Sequence, residues 1–464
     1  MRTALPTRPR SATQYRPDRH ALSRRSLLAG VTGAGGLAIA GCTSGNGTSA
    51  PTPSRVDMDA ELRKPATVTV WTWVTIEEIA RLFQKKYPSI KLNIVNAGQG
   101  GDEYTKFRTS LQARSGLPDV VQLEYNHIPG FRITDSLEDL TPYGAAGLAG
   151  KFNPAVWKLV SADAKVWALP TDGGPMAMMY RKDVLDRHQI SVPTTWPEFA
   201  AAARKLHAAD PTAYLANFPP ADTGPFFGLA WQAGARPFTV KSRTDLKFSL
   251  NDASAKKLVQ LWQPLIADGV VSVDPDFTDQ WFKGMSSGKY AIWFVGAWGP
   301  YFLTTSAKDT AGKWRVAQIP QWTAGANESG YWGGSSLAVV KGSKAAAAGA
   351  AFIQFLTTDP EAYGIFVNKL HQYPVTTATL GDPAFVDNAD PFYGGQKVNQ
   401  ILAKISQGVA TDFQWSPVDE FVSSSITDTF GKAVAAKGNL SQGLDAWQKA
   451  VVDYSKKQGF TVEG

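Results

Sequence analysis

Apolar and polar positions alternate through Thr67-Val68-Thr69-Val70-Trp71-Thr72-Trp73 with the period of a strand. Ile76, Ile79, Ala80, Phe83 and Tyr87 follow at helical spacing, behind Thr75 and Glu78 at capping-box positions, until Pro88 stops the run. Positions 91–95 alternate again, with Leu92 and Ile94 on one face. A helical stretch covers 102–114, and Gly116 and Pro118 lead into an apolar strand at 119–123. This order of strand, helix, strand, helix, strand predicts an α/β layer on a largely parallel sheet. Ligands of such sheets sit beyond the carboxyl ends of the strands, here at 73–75 and 124–127. Farther on, Trp196, Phe199, Ala203 and Leu206 share one face of a helix opened by Thr195 with Glu198 three residues on, and a second helix is predicted over 253–268, stopped by Gly269. A helix end, a glycine stop and an apolar strand fill 282–294. An alanine-rich helix runs from Lys344 to Phe355, and a last helix is predicted over 418–436.

The front of the chain is patterned differently. A polar arm leads to Ser23-Arg24-Arg25-Ser26-Leu27-Leu28 and a weakly apolar run through Gly41. A basic region before a short apolar run predicts a cleaved export signal over 1–41, too short to span a membrane as a stable helix. The paired arginines resemble a twin-arginine signal. Ile39-Ala40-Gly41-Cys42 resembles the lipobox of bacterial lipoproteins, in which the peptide is cut before the cysteine and the thiol receives a diacylglycerol. Two acyl chains give stable anchoring where one gives marginal binding. Residues 42–65, rich in Ser, Thr, Gly, Asn and Pro, are therefore expected to be the lipidated Cys42 and a flexible tether. This places the protein on the outer face of the cell membrane.

Charge then changes the picture less than its total suggests. The formal net charge is +7, but the first 41 residues hold seven arginines against one aspartate, so the body is nearly neutral. It has no footprint for nucleic acid. With Cys42 as the sole cysteine, an internal disulfide and a cysteine metal site are both excluded. His20, His127, His188, His207 and His371 lie far apart, so no histidine metal site is expected, and no motif for a nucleotide or metal cofactor occurs. Neither a cofactor nor a catalytic residue is predicted.

The stretches VTVWTWVTIEEIARLFQKKYP, LPDVVQLEYNHIPGF, VWALPTDGGPMAMMYRKDVL, VPTTWPEFAAAARKL, FKGMSSGKYAIWFVGAWGP, YWGGSSLAVVKGS and AAAAGAAFIQFLTTDPEAYGIFV follow one another in an order that resembles a single family. That family is the extracellular solute-binding proteins of carbohydrate ABC importers, the group containing maltose-binding proteins. The resemblance implies a two-lobe, periplasmic-binding-protein-like α/β fold with the ligand in a cleft between the lobes. Lobe one would comprise 66–171 plus 334–380, and lobe two 172–333 plus 381–464. It also implies a monomer that captures a sugar or oligosaccharide and delivers it to the membrane permease subunits of an ABC importer, doing no chemistry itself.

A sugar ring offers hydroxyls that need donors and acceptors, and flat C–H faces that match aromatic rings. The chain has fifteen tryptophans, many at strand ends or in glycine-rich loops, which is where a stacking site would draw them. Trp298, after an apolar strand, matches the position that stacks on sugar in maltose-binding relatives. Trp73 ends the first strand, whereas the direction of Trp71 depends on register. Glu124, Tyr125 and Asn126 follow the third strand. Asp172 lies in what the family pattern makes the first lobe crossing, where relatives keep a carboxylate at the position that is Gly174 here, and Asp172 is the candidate to replace it. This departure sets the chain apart from binders of maltose itself. Tyr331, Trp332 and Gly333 match a second crossing, and Trp415 precedes the last predicted helix as a wall from lobe two.

Two rival readings come from other classes. A lipid-anchored secreted glycoside hydrolase would need two carboxylates across a cleft, roughly 5 to 10 Å apart, with Glu124 and Asp172 as candidates by type. A non-transport carbohydrate receptor would differ only in lacking a permease partner.

Overall fold

The computed structural model describes residues 55–464, so the signal, Arg24, Arg25 and Cys42 lie outside the described residues. Two separate sheets organise the chain. The first has five strands in the order Ile90–Val95, Ala66–Trp71, Val120–Glu124, Ser335–Val339 and Leu169–Pro170. Its first three strands are parallel, and Ser335–Val339 runs antiparallel to both neighbours. The second sheet is antiparallel, with Met176–Arg181 between Ile292–Gly296 and Trp314–Ala317. The chain thus crosses from first sheet to second after Pro170, and back before Ser335. After helices Ala346–Thr358 and Pro360–Asn368, which pack into the core of the first sheet, it returns to the second, where Leu402 and Ile405 of helix Val398–Gln407 join the core. The result is an α/β fold of two lobes.

Local signals explain most boundaries. Helix Glu77–Lys86 ends at Tyr87, before Pro88, and buries Ile79, Ala80 and Phe83. Helix Trp196–Ala209 opens with the full Thr195–Glu198 capping box. Helix Asp279–Ser287 ends at Gly288 in the left-handed conformation (φ 88°), and the fully buried strand Ile292–Gly296 follows.

Three expectations need correction. Residues 58–62 form a helix capped by the Asp57 side chain, with Leu62 buried in the first lobe's core. That part of the segment read as a tether is packed, because Met58 and Leu62 are apolar enough to dock. The helix after Val74 starts at Glu77 without a side-chain cap, so Thr75 and Glu78 do not close a capping box there. The helix predicted over 418–436 is broken into Asp419–Ser425 and Phe430–Ala435, and the last helix is Leu440–Lys457, capped by Asn439.

Candidate functional site

The carboxyl end of the first sheet supplies one wall. Gln122 Oε1 accepts from Thr72 Oγ1 at 2.5 Å and from Trp73 N at 3.3 Å, so a neighbouring strand sets where Trp73 leaves the sheet. Trp73, half-buried, meets Tyr104 edge to face with centroids 6.3 Å apart. Tyr104 is buried on helix Gly101–Ala113. Its hydroxyl donates to Glu124 Oε2 at 3.1 Å and accepts from Glu124 N at 3.0 Å. The ring of His127 lies 4.0 Å from that of Tyr104, and burial lowers its pKa to about 3, so it is neutral. Burial pushes the Glu124 carboxyl up, Tyr104 pulls it down, and the charge of Asp222 pushes it up again. Asp222 stands on a helix of the other lobe, so these two carboxyls feel each other across the gap.

Asp222 caps helix Thr223–Gln232, accepting from Gly224 N at 2.7 Å. Burial raises the carboxyls of both Asp222 and its neighbour Asp276, and the charge of Asp222 raises Asp276 further. The next turn lies against Trp332, and a Cβ on Gly224 would run into the indole. Trp332 meets Trp298 edge to face at 5.1 Å, and Trp298 Nε1 donates to Trp332 O at 2.8 Å. Phe277, Trp293 and Phe302 close around Trp298. Phe277 itself has φ 54°, a conformation rare outside glycine.

These contacts group Trp73, Tyr104 and Glu124 on one lobe, and Asp222, Gly224, Trp332 and Trp298 on the other, with the charge of Asp222 acting on Glu124 between them. Gly333 belongs to the second group, where a Cβ would lie 2.9 Å from Trp298 Nε1. Asn126 stands at its edge, donating to Asp419 Oδ2 at 2.7 Å, and burial raises Asp419 to about 7.

The remaining candidates hold the frame. Tyr125 is buried and its hydroxyl donates to Asp172 O at 2.6 Å. Tyr331 is buried beside Trp231, with ring centroids 5.8 Å apart. The Asp172 Oδ1 accepts from Ser335 N at 2.6 Å, tying the first crossing to the second, and burial raises this carboxyl to about 7. One oxygen of Asp172 is thus engaged in joining the crossings. The crossings explain the glycine there. Trp332 N donates to Gly174 O at 2.8 Å, and a Cβ on Gly174 would strike Trp332 O. Trp415 packs on Phe227, Trp231 and Phe413. It lines a different cavity of about 290 Å³ with Arg132, Lys158 and Trp167.

Sequence reasoning missed Asp222, Asp276, Asp419, Gln122 and Tyr104. A signal for Asp222 is present, since Asp222-Thr223-Gly224-Pro225 has an N-cap residue ahead of an apolar run. Tyr104 carries no such mark, because one aromatic residue on a helix face is ordinary.

Residues 73–363 match a family model described as bacterial extracellular solute-binding protein. The chain is similar to the arabinooligosaccharide-binding protein of Halalkalibacterium halodurans, 22% identical over 57% of this chain and 60% of that protein. It is similar to the lactose-binding protein of Rhizobium radiobacter, 24% identical over 72% of this chain and 81% of that one. Among solved structures it is similar to the ABC-transporter-associated binding protein of B. animalis subsp. lactis Bl-04 in complex with β-1,6-galactobiose. That match is 34% identical with a TM-score of 0.74, covering 86% of this chain and 100% of the other. The galacto-N-biose-/lacto-N-biose I-binding protein of Bifidobacterium longum is 23% identical with a TM-score of 0.74, over 86% and 99% of the two chains, a likeness of fold.

Proposed function

The chain belongs to the family of bacterial extracellular solute-binding proteins, and from that premise we propose that it captures a sugar or short oligosaccharide and delivers it to the permease of an ABC importer. The observation that carries this reading is the pairing of walls. Glu124 and Asp222, on different lobes, are near enough for the charge of Asp222 to raise the Glu124 carboxyl. Trp73 lies against Tyr104, the hydrogen-bond partner of Glu124, and Trp332, with Trp298 edge to face on it, lies against the turn that Asp222 caps. Carboxylates accept from sugar hydroxyls, and rings cover C–H faces. Trp73, Glu124, Asp222, Trp298 and Trp332 are the proposed ligand contacts, with Asn126 and Gly333 at the margin. Tyr125, Asp172 and Tyr331 position the crossings. Closing the lobes lets one ligand touch both walls at once, which shifts a hinged open–closed equilibrium.

The chain works as a monomer outside the membrane. Arg24 and Arg25 direct export through a twin-arginine route, and Cys42 carries the lipid. Among the described residues no helix is long and apolar enough to cross a membrane.

Thermal unfolding in the presence of β-1,6-galactobiose, lactose, arabinobiose and their next-longer homologues tests the reading. A ligand at about 100 times its Kd stabilises by about 2.7 kcal/mol, so at least one sugar raises Tm in a concentration-dependent way. An unmoved Tm across the whole panel would sink it.

A further inference from the structure

Tyr301 is the one large hydrophobic side chain left exposed among the described residues, at 47%. It stands on helix Gly299–Ser306, three residues beyond the N-cap Trp298. Residues three apart on a helix are neighbours, with Cβ atoms about 5–6 Å apart. The next residue, Phe302, packs against Trp298, Phe277 and Phe282, whereas Tyr301 lies flat on the imidazole of His371, with centroids 4.7 Å apart and planes within 17°.

His371 reaches this stack from the other lobe. It follows helix Pro360–Asn368, which packs in the first sheet's core. Two residues later, Tyr373 O accepts from Gly173 N at the first crossing. The backbone of His371 is left-handed at φ 55°, so an uncommon conformation sets the ring against Tyr301. Neither the Tyr301 hydroxyl nor the His371 ring nitrogens are hydrogen bonded among the described residues. Two stacked rings from two lobes, one helical turn from Trp298, present an open aromatic face with free polar groups at its rim. Such a face suits a sugar ring, whose C–H side packs on aromatic carbon and whose hydroxyls need partners.

We propose that Tyr301 and His371 form an outer subsite for the next residue of an oligosaccharide whose inner residues rest against Trp298. It rests on the sugar-binding reading above and sharpens it, because it makes the preferred ligand a chain of three or more sugar residues. Had Tyr301 served only as a latch between lobes, its loss would weaken ligands of every length alike.

Titration calorimetry of the full chain with β-1,6-galactobiose against β-1,6-galactotriose, and arabinobiose against arabinotriose, separates these cases. In the series it binds, the unmodified chain takes the trisaccharide about tenfold more tightly, the equivalent of about 1.4 kcal/mol. Tyr301→Ala and His371→Ala each reduce that preference to within about twofold while the disaccharide Kd stays put, and Tyr301→Phe keeps it. Equal affinity for both lengths in the unmodified chain, a preference that survives Tyr301→Ala, or an equal loss for both lengths overturns the subsite and leaves sugar binding standing. Failure of every sugar to bind the unmodified chain overturns the sugar reading and the subsite together.

Discussion

On the first lobe, the proposed contacts stand at strand ends and are held by hydrogen bonds, with Thr72 and Trp73 donating to Gln122 and Tyr104 donating to Glu124. On the second, they stand on a block of packed rings in which Trp298 touches Phe277, Trp293, Phe302 and Trp332. Hydrogen bonds fix direction, so the first wall is suited to choosing among hydroxyl arrangements. Packed rings fix a surface, so the second is suited to area and affinity, with Asp222 as its polar point. The contrast also separates what each wall risks. A lost bond on the first wall costs about 1 kcal/mol, while a lost ring on the second opens a cavity.

The largest effect is therefore expected at Trp298. Trp298→Ala removes a proposed ligand contact, the bond to Trp332 O and the centre of the ring block. Ligand affinity should fall by about 2 kcal/mol or more, as for buried aromatic anchors. Stability should fall as well, by up to about 3–5 kcal/mol for a large aromatic side chain truncated in a packed site. Calorimetry and denaturant unfolding measure the two separately. Undiminished affinity would take Trp298 out of the site, and undiminished stability would deny that the block is tightly packed.

Acidic groups sharpen the comparison through pH. On the second wall the carboxyls raised by burial are Asp222 and Asp276. Behind the first wall, Glu103 is fully buried. Burial raises its pKa to about 8. The folded chain thus holds a proton that the unfolded chain releases near pH 4.3, the ordinary value for glutamate. Stability from this group is fully present below that value and is lost as pH rises through about 8. Tm should fall from pH 5 to pH 8, by at most about 1.4 kcal/mol of stability per pH unit for this proton. Glu103→Gln should flatten the fall and leave sugar affinity unchanged, since the residue lies behind the wall. A variant with the parental slope would show that Glu103 ionises normally.

How far all this was legible from the sequence differs between the walls for the same reason that their physics differs. The first lobe's strands and helices between 66 and 124 were readable to within a residue or two, because period-two alternation, Pro88 and Gly116 punctuate them. Trp73 and Glu124 could be named from strand ends alone. Tyr125 and Tyr331 could not be sorted from them, because whether a tyrosine after a strand faces the cleft or the core depends on contacts with Asp172 and Trp231 that are distant in sequence. The packed helix at 58–62 was hidden by the polar composition around it, and the broken helix after 418 by an apolar pattern that continues across the break. Asp222 acts on Glu124 from a segment distant in sequence, which no local pattern records.

The smallest effect tests the finest claim about the first wall, that Tyr104 works through Glu124 and does not touch the ligand. The Tyr104 ring is buried, and its hydroxyl serves one carboxylate oxygen and one backbone N–H. Tyr104→Phe keeps the ring against Trp73 and His127 and deletes only those bonds, so affinity should fall by about 1 kcal/mol, roughly fivefold. Glu124→Gln removes the charge that Tyr104 steadies. In that background Tyr104→Phe should cost much less, since residues in one hydrogen-bonded unit lose additivity. The double-mutant cycle, measured by calorimetry, decides between the two arrangements. Additive losses would mean that the two side chains act independently, and the first wall would then be a set of separate contacts and not a connected one.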